Sequence, residues 1–258
     1  MNTIGFVGVG ELALYTIRGV RRGGYSGKIL LSPRNRDKAA LLAVQYDCEV
    51  QADNQAVVDN SDCVVIATRP ADCLETLSAL DFGQDQLLLS VVAGIEVEEL
   101  HTVVPEHVEI VRAMPVSSAE AGASPTLVYP DNASIRGFFD HCGNSIPVDD
   151  EDWFTQGSVL ACVYCWFFTL FDRLIESTSG PALPKPVSAE LVMGMARGAA
   201  ELALAKNDMT PAEIAAGIAT EGTFSKLGLD LLEAENAFAP WNEACELLQN
   251  RLTAGKQE

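Results

Sequence analysis

The string Ile4-Gly5-Phe6-Val7-Gly8-Val9-Gly10-Glu11-Leu12-Ala13 leaves few folds open to this chain. It reads as an apolar strand, a glycine turn and the start of a helix. Gly8 permits the tight turn, Gly10 lets the backbone approach a pyrophosphate, and Ala13, small in the third position, lets helix and strand pack closely. The pyrophosphate would rest on the helix N-terminus, where unpaired N–H groups and the helix dipole favour an anion. Gly8, Gly10, Glu11 and Leu12 are therefore candidate cofactor contacts. The glycine pattern alone is weak; the strand before it and the helix after it give it meaning.

The next strand decides which dinucleotide is expected. An NAD site wants an acidic residue about 20 positions past the glycines, where it binds the ribose 2′-OH. Here Lys28-Ile29-Leu30-Leu31 ends in Ser32 and Arg34 instead. A hydroxyl and a guanidinium suit a 2′-phosphate, since arginine makes forked, charge-assisted bonds to phosphate. NADP(H) is the predicted cofactor. The plainer reading makes Arg34 and Arg36 solvated turn residues.

Composition narrows the function classes. The chain has 258 residues, 48% of them hydrophobic, enough for one large or two modest domains. No uninterrupted apolar run reaches about 18 residues, so no membrane-spanning helix is expected. No basic leader precedes the first strand, so no secretory signal is expected either. Seven cysteines without framework spacing fit reduced thiols and a cytoplasmic location. Cys162 and Cys165 form a CxxC-like pair that reads as part of a core helix. His101, His107 and His141 lack metal-ligand spacing, and no metal is expected. The formal charge of −19 argues against nucleic acid or an anionic membrane as partner. An anionic cofactor would then need local arginines, which singles out Arg34, Arg36, Arg69 and Arg112.

Residues 1–150 alternate strand and helix signals, with strands predicted at 3–8, 28–32, 63–67, 87–92, 109–113 and 126–129. This is a Rossmann-type, doubly wound α/β pattern. From 151 to 258 the strands disappear, and helices are predicted at 151–177, 187–206, 211–221, 223–235 and 239–254. The first helix is apolar all round, which means burial on every side. In a domain of about a hundred residues that implies burial against a second subunit, so an all-α dimerisation domain and a homodimer are expected. Thr210-Pro211-Ala212-Glu213 reads as an N-cap, an N1 proline and a capping-box acid.

At this point the residues resemble the pyrroline-5-carboxylate reductase family, over nearly the whole chain and most clearly to residue 129. The family's glycine motif matches Gly8 to Ala13. Its small apolar run ending in Lys-Pro matches Ala67-Thr68-Arg69-Pro70, its Ala-Gly-Ile turn matches Ala93-Gly94-Ile95, and its Arg-x-Met-Pro-Asn motif matches Arg112-Ala113-Met114-Pro115-Val116. The resemblance implies cofactor contacts at Ala67, Thr68, Arg69, Pro70, Ala93 and Gly94. It implies a nicotinamide floor from Met114 and Pro115, and a ribose contact from Asn54. Asn54 also reads as a helix N-cap before Gln55.

The departures fall on the substrate half. Val116 replaces the family's asparagine. The family's Ser-Gly-Ser-Gly-Pro-Ala-Tyr motif falls on Ser158 to Tyr164, where only the first serine and the tyrosine survive. Its Ser-Pro-Gly-Gly-Thr-Thr loop, which grips the substrate carboxylate, falls on Thr220-Glu221-Gly222-Thr223-Phe224-Ser225. Glu221 puts a negative charge there; repulsion at ~4 Å would cost about 1–4 kcal/mol if its side chain points inward. The resemblance implies substrate contacts from Val116, Gly222, Thr223 and Ser225. Ser225 is its candidate hydroxyl for the imine nitrogen, with Thr220 as a further donor. Ser225 also reads as a plain helix N-cap.

The family reaction carries a hydride from NADPH to the C=N carbon of a cyclic imine, giving proline. Three readings stay open: that reductase, a reductase of a different imine, and a non-catalytic NADP-binding sensor or partner protein. A β-hydroxyacid dehydrogenase would need a lysine in the long helix, and none occurs between Lys38 and Lys185.

Overall fold

In the computed structural model, residues 2–254 are described; Met1 and residues 255–258, the end of the expected second domain, lie outside the described residues. The apolar run that opens the chain forms β1 (Thr3–Val7), and the helix α1 (Glu11–Arg22) returns alongside it. The same alternation continues through β2 (Lys28–Leu31), α2 (Arg36–Tyr46), β3 (Glu49–Val50), α3 (Asn54–Asp59), β4 (Cys63–Ile66) and α4 (Pro70–Ser78). It continues through β5 (Leu87–Ser90), α5 (Val97–His101), β6 (Glu109–Met114), β7 (Ser124–Tyr129), α6 (Ala133–Phe139) and β8 (Gly143–Pro147). The eight strands form one sheet in the order β3-β2-β1-β4-β5-β6-β7-β8. β1 to β6 are mutually parallel, β7 pairs antiparallel with β6, and β8 runs parallel to β7. The first six strands follow the Rossmann order, with its switch point between β1 and β4.

The central strands are buried on both faces, as parallel strands covered by helices must be. Ile4, Phe6, Cys63 and Val65 pack with Leu14 and Ile17 of α1 and Phe138 and Phe139 of α6. Val7, Val64 and Ile66 pack on the other face with Val57, Val58, Leu77 and Leu100. Burial pushes the Cys48 and Cys73 thiols up to about 11 and Cys142 up to about 12. It raises Cys63 as well. These four are protonated and unreactive at neutral pH.

Two strands were missed from sequence. β3 has only two residues, both exposed, and β8 (Gly-Asn-Ser-Ile-Pro) is a half-exposed edge. Edge strands face solvent and need no apolar alternation, and a proline is tolerated there.

The start of β1 is tied to β4 by Asp62, whose Oδ2 accepts the Asn2 and Thr3 amides at 2.7 and 3.0 Å. Those two backbone bonds hold its carboxyl below its ordinary value. A depressed folded-state pKa stabilises the fold above the unfolded value, about 3.9, and the contribution fades as pH falls through the folded one. Asp62→Asn is expected to be less stable than the parent at pH 7, with the gap closing below about pH 4. Urea melts at pH 7 and pH 3 check this; equal gaps at both would contradict it.

The remaining elements are helical: α7 (Glu151–Thr178), α8 (Lys185–Ala205), α9 (Pro211–Ile218), α10 (Phe224–Ala234) and α11 (Ala239–Ala254). The chain divides into two compact units inside α7. One reaches Ala161 and includes residues 252–254, and the other is Cys162–Arg251. The capping box at α9 is formed: Thr210 Oγ1 accepts the Glu213 amide at 3.2 Å, and Glu213 Oε2 accepts the Thr210 amide at 2.7 Å.

By length and composition α7 is apolar enough to cross a membrane, which the lack of a long uninterrupted apolar run did not signal. The run that starts at Val159 ends at Thr169, and Asp172 and Arg173 follow, yet the average hydropathy stays high. Within one chain α7 is not buried on every side. Phe154 and Val159 are buried, and Trp166 and Phe167 pack on Trp241, but Leu160, Phe168 and Leu174 are exposed, as are Cys162 and Cys165.

Candidate cofactor site

Three turns converge at the carboxyl ends of the central strands. After β1 the backbone turns at Gly8, with φ of 98°. A Cβ on Gly8 would stand 2.7 Å from the Ala67 carbonyl oxygen and 3.0 Å from the Thr68 nitrogen. Only glycine lets this turn pass the end of β4. Ser32, 1% exposed, braces the turn from the end of β2, its Oγ accepting the Gly8 N–H at 3.0 Å. That bond uses an acceptor site, so the hydroxyl proton stays free to donate.

Gly10 is different. It is the N-cap of α1 in an extended conformation (φ −92°, ψ −165°) open to any residue, and it supplies no side-chain cap. A Cβ on it would meet nothing within 4 Å. A helix start without its own capping side chain, facing open space, fits a bound pyrophosphate. At α2, by contrast, the Asn35 side chain accepts from the Lys38 amide.

The cavity at this point is about 620 Å³. It brings together Gly8, Gly10, Ser32 and Arg34 with Asn54, Ala67, Thr68 and Arg69. A second cavity of about 880 Å³ shares Arg34, Arg36, Asn54, Asp72 and Thr76 with the first. Arg34 has a side chain 81% exposed, and among the described residues its ion pair is with Asp72, at 3.9 Å. So loose a pair contributes little and leaves the guanidinium free to turn to an anion.

Sequence reasoning missed Asp72 and Thr76, one helical turn apart on α4, both of which line the two cavities. It also missed Asp53. The N-cap of α3 is Asp53, whose carboxylate accepts the Ala56 amide at 2.8 Å, and not Asn54, which stands first in the helix. The Asp-Asn pair offered two candidates one residue apart, and spacing alone does not choose between them.

The other predicted cofactor residues lie outside the first cavity's lining. Glu11 pairs with Lys38 at 2.6 Å, a bond that lowers its carboxyl pKa, and Leu12 follows it in α1. Pro70 opens α4. Ala93 and Gly94 form the turn after β5, with Gly94 at φ 76°, and Met114 ends β6 just before Pro115. Val116 is buried, and its amide donates to Ser124 Oγ at 3.0 Å.

Thr220, Gly222, Thr223 and Ser225 belong to the other compact unit. Thr223 is the N-cap of α10: its Oγ1 accepts the Lys226 amide at 3.2 Å and donates to the Thr220 carbonyl at 2.7 Å. This corrects the N-cap reading of Ser225, which stands exposed in the first turn. Glu221 is exposed beside Gly222, whose φ is 82°.

The Rossmann-ordered sheet, the bare start of α1 and the arginines lining the cavity fit an NAD(P)-binding protein, and comparison with known proteins places it among NAD(P)-dependent oxidoreductases. Residues 3–94 match the family model described as NADP oxidoreductase, coenzyme F420-dependent. Pyrroline-5-carboxylate reductase of Haemophilus influenzae is 25% identical over 270 aligned residues, covering 99% of this chain and 96% of that one. Among solved structures, the 1-pyrroline-5-carboxylate reductase of Streptococcus pyogenes shares the fold with a TM-score of 0.86 at 21% identity, over 98% of both chains. The pyrroline carboxylate reductase of Plasmodium falciparum, with NADP bound, shares it with a TM-score of 0.84 at 18% identity, over 98% of this chain and 97% of that one. The chain is thus similar over nearly its whole length to pyrroline-5-carboxylate reductases, whose fold it shares.

Proposed function

We propose that the protein reduces a cyclic imine with NADPH, 1-pyrroline-5-carboxylate to L-proline or a close analogue. The bare N-cap at Gly10, open where a pyrophosphate would lie, carries this reading. In it, residues 1–150 hold the dinucleotide, and residues 151–258 supply the substrate side and the contact with a second copy. Arg34 and Ser32 take the 2′-phosphate, Asn54 a ribose, and Ala67, Thr68, Arg69 and Pro70 the middle of the cofactor. Ala93, Gly94, Met114 and Pro115 form the nicotinamide side. The bound cofactor supplies a hydride to the imine carbon. A proton goes to the nitrogen, so that C=N becomes CH–NH, and Ser225 and Thr220 are the hydroxyls assigned to that end. Val116, Gly222 and Thr223 complete the substrate surface. The free cysteines support a cytoplasmic location.

One observation favours a second reading. Glu221 places a carboxylate in the loop that, in this reading, receives an anionic substrate. That supports an imine lacking the carboxylate, or an NADP-binding role without turnover. Following nicotinamide absorbance with NADPH and pyrroline-5-carboxylate, then with a panel of neutral and cationic imines, separates these outcomes. Turnover with the first substrate supports the leading reading. Tight NADPH binding with no turnover on any imine overturns it in favour of the non-catalytic role.

The choice of cofactor has its own test. Losing one exposed charge-assisted contact should weaken NADPH about tenfold and leave NADH nearly unchanged. Titrating Arg34→Ala with each cofactor measures this, and equal losses for both would remove Arg34 from the 2′-phosphate.

A further inference from the structure

Arg112 is a buried cation in the middle of β6, 2% exposed. Its Nη1 donates to Glu151 Oε1 at 2.6 Å, and its guanidinium lies 4.5 Å from the centre of the Phe154 ring. Its Nε is buried without a hydrogen-bond partner. A charge this deeply buried is tolerated only with a well-placed counter-ion, so Glu151 holds Arg112 in one position. Glu151 has a second task. The same Oε1 accepts the Val97 amide at 3.0 Å, across 54 residues of sequence. Val97 is the first residue of α5, whose own N-cap, Glu96, supplies no side-chain cap. The carboxylate of Glu151 thus caps a short helix that starts three residues after Gly94.

Two segments meet on this carboxylate. One is the Ala93-Gly94 turn through Val97. The other is β6 through Arg112, two residues before Met114 and therefore on the same face of the strand. We infer that Glu151 is a positioning residue: by clamping Val97 and Arg112 together it sets the spacing between the Ala93-Gly94 turn and the Met114-Pro115 corner, between which the nicotinamide end of the cofactor is held. This rests on the proposed NADPH reading, in which those four residues form the nicotinamide side. No other expected cofactor contact depends on Glu151, since Gly10, Ser32, Arg34 and Asn54 stand on elements it does not touch.

The test uses two probes on the full chain, NADPH and adenosine 2′,5′-bisphosphate, which carries only the 2′-phosphate end. Glu151→Gln keeps the shape and removes the charge. The pair Arg112→Met with Glu151→Met removes both charges without leaving either unpaired, which guards against a variant that fails to fold. In each, NADPH affinity should fall about tenfold while bisphosphate affinity stays within about twofold, because only the nicotinamide end loses its seat. Amide hydrogen exchange should quicken at Val97–Leu100 and stay unchanged at α4. Equal losses for both probes would make Glu151 merely structural and overturn the inference, as would unchanged affinity for both. A parent chain that binds neither probe overturns the cofactor reading and the positioning role with it. A parent that binds both, with an unchanged affinity ratio in the variants, overturns the positioning role alone.

Discussion

Gly10→Val is expected to fold like the parent chain and to bind NADPH about a hundredfold more weakly. The position tolerates a side chain: its backbone is extended, and a Cβ meets nothing within 4 Å. The cost to stability is the poorer N-cap, about 1 kcal/mol or less. The cost to binding is larger, because the isopropyl group would occupy the space through which the pyrophosphate reaches the first-turn amides. Two lost charge-assisted bonds, at about 1.5 kcal/mol each, make the hundredfold. Gly8→Ala is the informative contrast. There φ is 98° and the Ala67 carbonyl leaves no room, so the expected loss is about 2–4 kcal/mol of stability whether or not cofactor is present. Thermal melts with calorimetric titrations of both variants separate the two roles. If Gly10→Val bound NADPH as tightly as the parent, the anion site would not be at the start of α1.

The contrast between these glycines shows what the sequence could and could not convey. The spacing of Gly8, Gly10 and Ala13 was enough to place strand, turn and helix, because each glycine answers a local backbone demand. The five C-terminal helices were legible for a similar reason: apolar periodicity over long segments, with caps such as Thr210 and Glu213 reported by neighbours in sequence. What failed was non-local. β3 and β8 are edges whose residues need no apolar signature, and nothing around Gly143 distinguishes a strand from a loop. The Glu151 clamp joins residues 39 and 54 positions apart, beyond any motif. Arg112 was singled out as a local arginine for an anionic cofactor, and its pairing with Glu151 could come only from the fold. Ser32 is a mixed case. Its place at the end of β2 was legible, yet the bond from the Gly8 amide that fixes its hydroxyl depends on strand pairing. The substrate half was the least legible, because Val116 and Glu221 depart from the family pattern and a departure says what is absent, not what replaces it.

Leu191→Glu with Met195→Glu is expected to convert the parent assembly into a monomer. On α8, Leu191, Met195 and Leu202 are 48%, 71% and 39% exposed in the single chain, at spacings that put them on one face. On α7, Phe168 and Leu174 are exposed as well, and on α10, Leu227 and Leu231. Apolar exposure repeated across three helices exceeds what a monomeric surface normally carries, which supports the proposed contact with a second copy. Among the described residues the helical unit buries few hydrophobic side chains of its own, as expected of a unit stabilised by such a contact. A second copy is the proposed occupant, since an apolar surface can pack on its own copy about a twofold axis. The parent should then sediment at twice 27.6 kDa or more at micromolar concentration. Each glutamate removes about 2 kcal/mol of apolar burial and sets an unpaired carboxylate in the interface, and symmetry doubles the effect. Weakening by about a thousandfold or more follows, enough to separate the copies at that concentration. A parent that sediments as a monomer would refute the second copy. A parent that instead partitions into neutral lipid vesicles would assign the face to a bilayer, which α7 satisfies by length and composition.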